Sequence, residues 1–203
     1  MAFIDILAMQ LFALGFSGLV LLYMTVATYL SYRRGDHGLE HITSGQIPLA
    51  ALGFYAVVTG LWGQFVWPLP GSYNILFYDI YPLWGMFLIG AAWGLHSKLK
   101  LQYTGFFALL IGCASIIYGF YGYNLGLTSA PLALLALYTL FGIGGILGYP
   151  MTLMVDRAEE KIKNRSVVWK IMLAGFILSI LLGSLLALFI GINAIPAHLA
   201  SAP

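Results

Sequence analysis

The sequence predicts an all-α integral membrane protein, a bundle of six transmembrane helices built from repeated helical hairpins. Apolar residues fill 61% of its 203 positions. Charged residues make up only 8%, against roughly a quarter in an ordinary soluble domain. The apolar residues also fall into six windows of about 20, the length a helix needs to cross the hydrocarbon core.

The spans are expected at about 4–32, 48–67, 80–96, 102–121, 131–154 and 169–193, in one domain over residues 1–203. The first lacks a basic leading region and a small-residue cleavage site, so it reads as a retained helix rather than a signal peptide. From Phe3 to Tyr32 it would rise about 45 Å, more than a core of about 30 Å requires, so it must tilt or protrude. The second span carries "GFYAVVTG" from Gly53 to Gly60 and leads into "WPLPG", a stiff, turn-forming connection. The third opens at Asp79, Pro82 and Leu83, and the fourth carries "GFFALLIG" from Gly105 to Gly112. Thr128 and Ser129 precede Pro131 at the start of the fifth. The sixth begins near Trp169 and ends toward Asn193 and Pro196.

Topology follows from the basic residues. Arg33 and Arg34 lie between spans one and two, and Lys98 and Lys100 between three and four. Arg157, Lys161, Lys163, Arg165 and Lys170 lie between five and six. All fall in alternate loops, and the positive-inside rule makes that side cytoplasmic. Both termini are then outside, in a multi-pass protein of the cell membrane. The net charge of +2 is thus explained by topology, and the scattered basic residues do not indicate nucleic acid as a partner. Membrane lipids are the expected surroundings, with a basic patch able to meet anionic headgroups.

Internal similarity links the spans. Gly53–Gly60 matches Gly105–Gly112, Tyr73-Asn74 matches Tyr123-Asn124, and Pro82-Leu83 matches Pro131-Leu132, with offsets sliding from 52 to 49. Spans two and three therefore read as a hairpin duplicated in spans four and five. Gly175-Phe176 and Gly183 extend the pattern to span six, while Phe3, Asp5 and Ile6 align with Phe77, Asp79 and Ile80. A third hairpin closed by spans six and one is the corresponding expectation. Parallel repeats of this kind occur in transporters.

The outer-face motif comprises Tyr73, Asn74 and Asp79 with the echo Tyr123 and Asn124. Asn suits turns and helix C-caps. Asp5 and Asp79 are expected to cap helix N-termini, where a carboxylate meets free N–H groups and the positive dipole end. Trp62, Trp67, Tyr73, Phe77, Tyr78, Tyr81 and Trp84 are expected to form an interfacial aromatic belt. An outer pocket for an apolar ligand is the alternative reading of that corner.

On the basic side, "DHGLEH" places His37, Glu40 and His41 in an H-x-x-E-H pattern, and His96 ends span three. Two His at i and i+4 on a helix can hold zinc beside a general base. Gly35 and Gly38 disfavour such a helix, however, and zinc hydrolysis is set aside. His37, His41 and His96 remain the candidate ligands for a metal ion or haem; otherwise no cofactor is expected. No Asp, Glu, Lys, Arg or His lies deep in any span, which argues against a proton-coupled pump. "GAAWG" (Gly90–Gly94) and "GGILG" (Gly144–Gly148) instead carry the small-residue spacing that lets helices approach closely. Cys113 has no disulfide partner and reads as a small buried residue. The run from Asp156 to Arg165 reads as a solvated surface without catalytic arrangement.

The segment "WPLPGSYNILFYD", with the following Pro-Leu and Gly85, resembles a family of small archaeal polytopic membrane proteins of unknown function that carry a YN-x-x-F-x-[DE] motif. The likeness implies an archaeal cell membrane and brings no activity with it. The reading from sequence is a non-catalytic membrane protein, foremost an accessory or structural subunit associating with other membrane subunits or with itself. The alternatives are a pseudo-threefold transporter or pore for a small neutral or apolar solute, and a haem- or metal-binding redox protein.

Overall fold

A computed structural model of the protein describes residues 6–34, 43–156 and 167–200. Among them are seven helices and no strand: α1 (Ile6–Arg34), α2 (Gln46–Val66), α3 (Ser72–Tyr78), α4 (Ile80–His96), α5 (Gln102–Asn124), α6 (Pro131–Asp156) and α7 (Val167–Ala200). Because α3 and α4 form one span, Ser72–His96, the helices make six segments long and apolar enough to cross a membrane.

The third span therefore begins at Ser72 rather than near residue 80. The helix bends at Asp79 without ending. Pro82 has no N–H to offer the Tyr78 carbonyl and its ring crowds that turn, which kinks a helix locally. The Asp79 N–H still donates to the Ile75 carbonyl at 3.2 Å. Other ends are fixed by local chemistry. Trp67, in the left-handed region at φ 53°, closes α2 by donating its N–H to the Gly63 carbonyl at 3.1 Å. Lys98, also at φ 53°, turns the chain after α4, and the Leu99 N–H reaches back to the Gly94 carbonyl at 2.8 Å. Asp156, at the end of α6, accepts from the N–H groups of Leu101 and Gln102 at 2.8 and 2.7 Å. A carboxylate there meets both the free donors and the positive dipole end of α5.

Packing follows a closed circuit in chain order. The most intimate antiparallel pairs are α2 with α4, α5 with α6, and α1 with α7; α1·α2, α4·α5 and α6·α7 join them into a ring. Lipid offers helices no hydrophobic drive to associate, so close backbone approach and van der Waals contact must hold the ring. Glycine supplies that approach. A Cβ on Gly53 would lie 2.8 Å from the Gly85 carbonyl oxygen, and one on Gly85 would lie 2.7 Å from the Gly53 oxygen. In the second hairpin a Cβ on Gly142 would lie 2.8 Å from the Gly112 oxygen, and one on Gly145 would lie 2.6 Å from the Ala108 oxygen.

The two hairpins share their packing pattern, but in a register the sequence match did not indicate. Buried Leu49, Gly53, Ala56, Gly60 and Gly63 of α2 correspond to buried Ala108, Gly112, Ser115, Gly119 and Gly122 of α5, each 59 positions apart. Their partners correspond as well: Gly60 faces Pro82 as Gly119 faces Tyr138, and Gly63 faces Tyr78 as Gly122 faces Leu134. An interval of 59 differs from the sequence interval of 52 by about two helical turns. A heptad slip returns a helix to nearly the same face, so the glycine pattern reads well in either register.

Inside the ring, the three helix pairs meet at Trp84. Its indole N–H donates to the Ser17 hydroxyl of α1 at 3.0 Å, and its ring meets Phe141 of α6 edge-on at 5.7 Å. Toward the basic end, Met24, Leu49, Phe87, Leu88, Met151 and Phe176 join a continuous apolar core. Outward-facing Phe54, Phe65, Tyr103, Leu132 and Phe189 suit contact with lipid. Cys113 is exposed on the bundle surface, contrary to expectation, because it lies on the face of α5 opposite buried Ile111 and Ser115.

Gly112→Ala should lower stability by about 1–3 kcal/mol through overpacking, whereas Gly90→Ala, whose Cβ would meet only Thr104 at 3.6 Å, should be tolerated. Thermal unfolding in mild detergent checks the contrast; equal effects would contradict the close-contact assignment.

Candidate functional site

The corner at the end opposite the basic residues is built by the chain folding back on the end of α2. After Trp67 the segment passes Gly71 at φ 54°, a conformation L side chains rarely adopt, and enters α3. Asn74 lies within that helix and is almost fully buried. Its Nδ2 donates to the Gly63 carbonyl at 3.0 Å and its Oδ1 accepts from the Leu69 N–H at 3.2 Å. One side chain thus fastens both the end of α2 and the turn beyond it. Tyr78 is buried with its ring on Gly63. Tyr73 remains partly exposed and stacks on Phe77 at 6.5 Å.

The second Tyr-Asn pair occupies a different place. Tyr123 and Asn124 are the last residues of α5 and both are exposed. The shift from an interval of 52 to 59 accounts for this, since it separates motifs that match in sequence. The aromatic belt is likewise smaller than expected: Trp67 and Tyr73 are exposed, whereas Tyr78, Tyr81 and Trp84 point inward and are buried.

Asp79 makes no capping hydrogen bond. Since α3 precedes it, the first turn of α4 is not a free helix end. Its carboxylate instead accepts from the Tyr118 hydroxyl of α5 at 2.8 Å, with the Gln64 amide of α2 at 3.5 Å, the outer limit of a hydrogen bond. Beside it the Tyr138 hydroxyl of α6 donates to the Leu76 carbonyl. This polar cluster ties the first two hairpins together at the end opposite the basic residues. Thr128 has a buried hydroxyl without a hydrogen-bond partner, so it does not cap α6.

Below this cluster lies a cavity of about 100 Å³. It occupies the junction of α1, α4, α5 and α6, where α1 packs on α7 and α2 but not closely on α5 or α6. Its walls are mostly aliphatic and aromatic. No charged side chain lines it; the polar ones are Gln10, Tyr81, Ser115 and Tyr138, with the indole of Trp84. Leu7, Gln10, Leu11 and Leu14 form one stripe of α1 at helical spacing. Gln10 is buried, and its Nε2 has no hydrogen-bond partner. A search for charged residues passes over Gln10; a lone amide on an apolar stripe of a membrane helix is the signal that finds it.

The basic end gives no metal site among the described residues, which hold no group of three or more His, Cys, Asp and Glu suited to a metal ion. His96 is exposed at the end of α4 beside Trp93. His37, Glu40 and His41 lie outside the described residues, as does Asp5. Of the run from Asp156 to Arg165, Asp156 alone is described, and it fastens α5 rather than facing solvent freely.

Asn74→Ala should cost about 1–3 kcal/mol, because it leaves the part-buried Leu69 N–H unmet and removes one of the two hydrogen bonds to the Gly63 carbonyl, and should speed hydrogen exchange at the Leu69 amide. Asn124→Ala, at an exposed position, should change stability by less than about 0.5 kcal/mol. Exchange measured by mass spectrometry on both variants checks this, and equal protection at residue 69 would contradict it.

No curated protein and no solved structure matches the chain. One family model, described as a protein of unknown function (DUF981), matches residues 1–201, and the chain therefore belongs to that family.

Proposed function

We propose that this is a non-catalytic membrane protein that binds a small neutral, largely apolar solute inside its helical ring. The observation that carries the reading is the cavity among α1, α4, α5 and α6, with apolar walls and one buried amide donor lacking a partner. Sites for small molecules have this composition, mostly apolar with a few placed polar groups. The absence of charge in the lining disfavours an ion, whose desolvation would go uncompensated. Binding suits the site better than conduction. An apolar solute dissolves in the bilayer unaided, and Trp84, Ser17 and Phe141 fill the middle of the ring.

An accessory-subunit role draws on the absence of a convincing site together with small-residue faces, and most of those residues pack within the chain: Gly94 faces Leu101, Gly144 faces Ile180, Gly145 faces Ala108, and Gly148 faces Ala108 and Phe176, while Gly90 meets only Thr104. The shared packing at an interval of 59 supports the first two hairpins as copies of one unit. The positive-inside rule sets the ends bearing Lys98 and Lys100 in the cytoplasm, so the cavity belongs to the outer half of the membrane.

Xenon, which enters dry apolar cavities, tests the reading. Xenon-129 NMR in lipid nanodiscs should show saturable binding to the wild type that Leu14→Trp, filling the cavity, abolishes without loss of the folded state. Identical xenon behaviour of the two proteins would contradict it.

A further inference from the structure

Resting on the solute-binding reading, the donors around the cavity identify what kind of solute fits. Ser115 donates its hydroxyl to the Tyr138 carbonyl at 2.9 Å, Tyr138 donates to the Leu76 carbonyl, and the Trp84 indole donates to Ser17 at 3.0 Å. Two groups of the lining remain unmet, the Tyr81 hydroxyl and the Gln10 Nε2. The hydroxyl can donate or accept, whereas the Gln10 Nε2 can only donate. Its residue is only 5% exposed, it lines the cavity, and its amide N–H groups have no acceptor. A buried donor left unmet is costly in any protein and more so within a bilayer, where no water reaches it.

We infer that Gln10 is a specificity residue that selects neutral solutes bearing a hydrogen-bond acceptor oxygen, such as a ketone, ester or quinone-type carbonyl, over hydrocarbons of the same shape. An acceptor oxygen beside Nε2 converts the unmet donor into a hydrogen bond while the rest of the solute contacts leucine and aromatic walls. A cavity of about 100 Å³ holds a small molecule, or the carbonyl-bearing ring of a larger one. A site built to hydrogen-bond its solute rejects the analogue that lacks the polar atom, because the partner group is then buried unpaired.

Cyclopentanone and cyclopentane are nearly isosteric probes. Their binding to the full-length protein in nanodiscs would be followed by ligand-observed NMR, each corrected for partition into protein-free nanodiscs. The wild type should prefer cyclopentanone by about 10- to 100-fold. Gln10→Leu should bind cyclopentane at least as well as the wild type and lose the preference. Replacing an unmet buried amide by an apolar side chain of similar size is neutral or stabilising, so the variant remains folded. Leu14→Trp should bind neither probe. Equal affinity of the wild type for both probes, or a preference that survives Gln10→Leu, would overturn the role of Gln10 and leave the cavity reading standing. Binding of neither probe to the wild type would overturn both.

Discussion

The structure depends on backbone meeting backbone inside each hairpin. Lipid tails compete equally for apolar side chains, so two helices stay together only where they approach more closely than side chains normally permit. Gly53 with Gly85, and Gly112 with Gly142 and Gly145, provide that approach. Each hairpin is then a stiff unit whose outer surface is left for lipid and whose inner surface meets the other two at Trp84.

Stiff hairpins meeting at one aromatic residue cannot also pack perfectly everywhere else. The core closes toward the basic end, where Met24, Leu49, Leu88 and Met151 interlock. On the other side α1 follows α7 rather than α5 and α6, and the cavity is the space this leaves. The cluster of Gln64, Asp79, Tyr118 and Tyr138, at the end opposite the basic residues, bridges hairpins one and two beside it. The polar groups around the cavity thus divide into those that fasten helices and those that do not, the Tyr81 hydroxyl and the Gln10 amide.

Composition alone revealed the six spans, because length and hydropathy decide whether a helix can cross a bilayer. The Tyr-Asn motif is legible as a corner but not in its roles. Asn74 acts through a carbonyl on α2 that only the folded chain brings near. Asp79 resembles an N-cap because Pro82 follows it, yet the preceding α3 removes the free helix end that a cap requires. The shared pattern of buried small residues is visible in the glycine spacing, but the packed positions lie 59 apart rather than 52, and a slip of about two turns preserves the face. Cys113 was misplaced because its exposure depends on which stripe of α5 faces α6. Gln10 escaped because an uncharged amide does not mark a span as polar, although its spacing with Leu7, Leu11 and Leu14 was readable.

The most direct test of the account is the Gln10 side-chain amide itself. Nitrogen-15 labelling of glutamine, in a chain with Gln10, Gln46, Gln64 and Gln102, allows its two amide protons to be assigned by substitution. Titration with a small neutral ketone should move the Gln10 amide protons downfield, toward hydrogen-bonded positions, while those of the other three stay in place. Gln10 protons that exchange rapidly with water, or that do not respond while the ketone binds, would contradict a dry site organised around that amide.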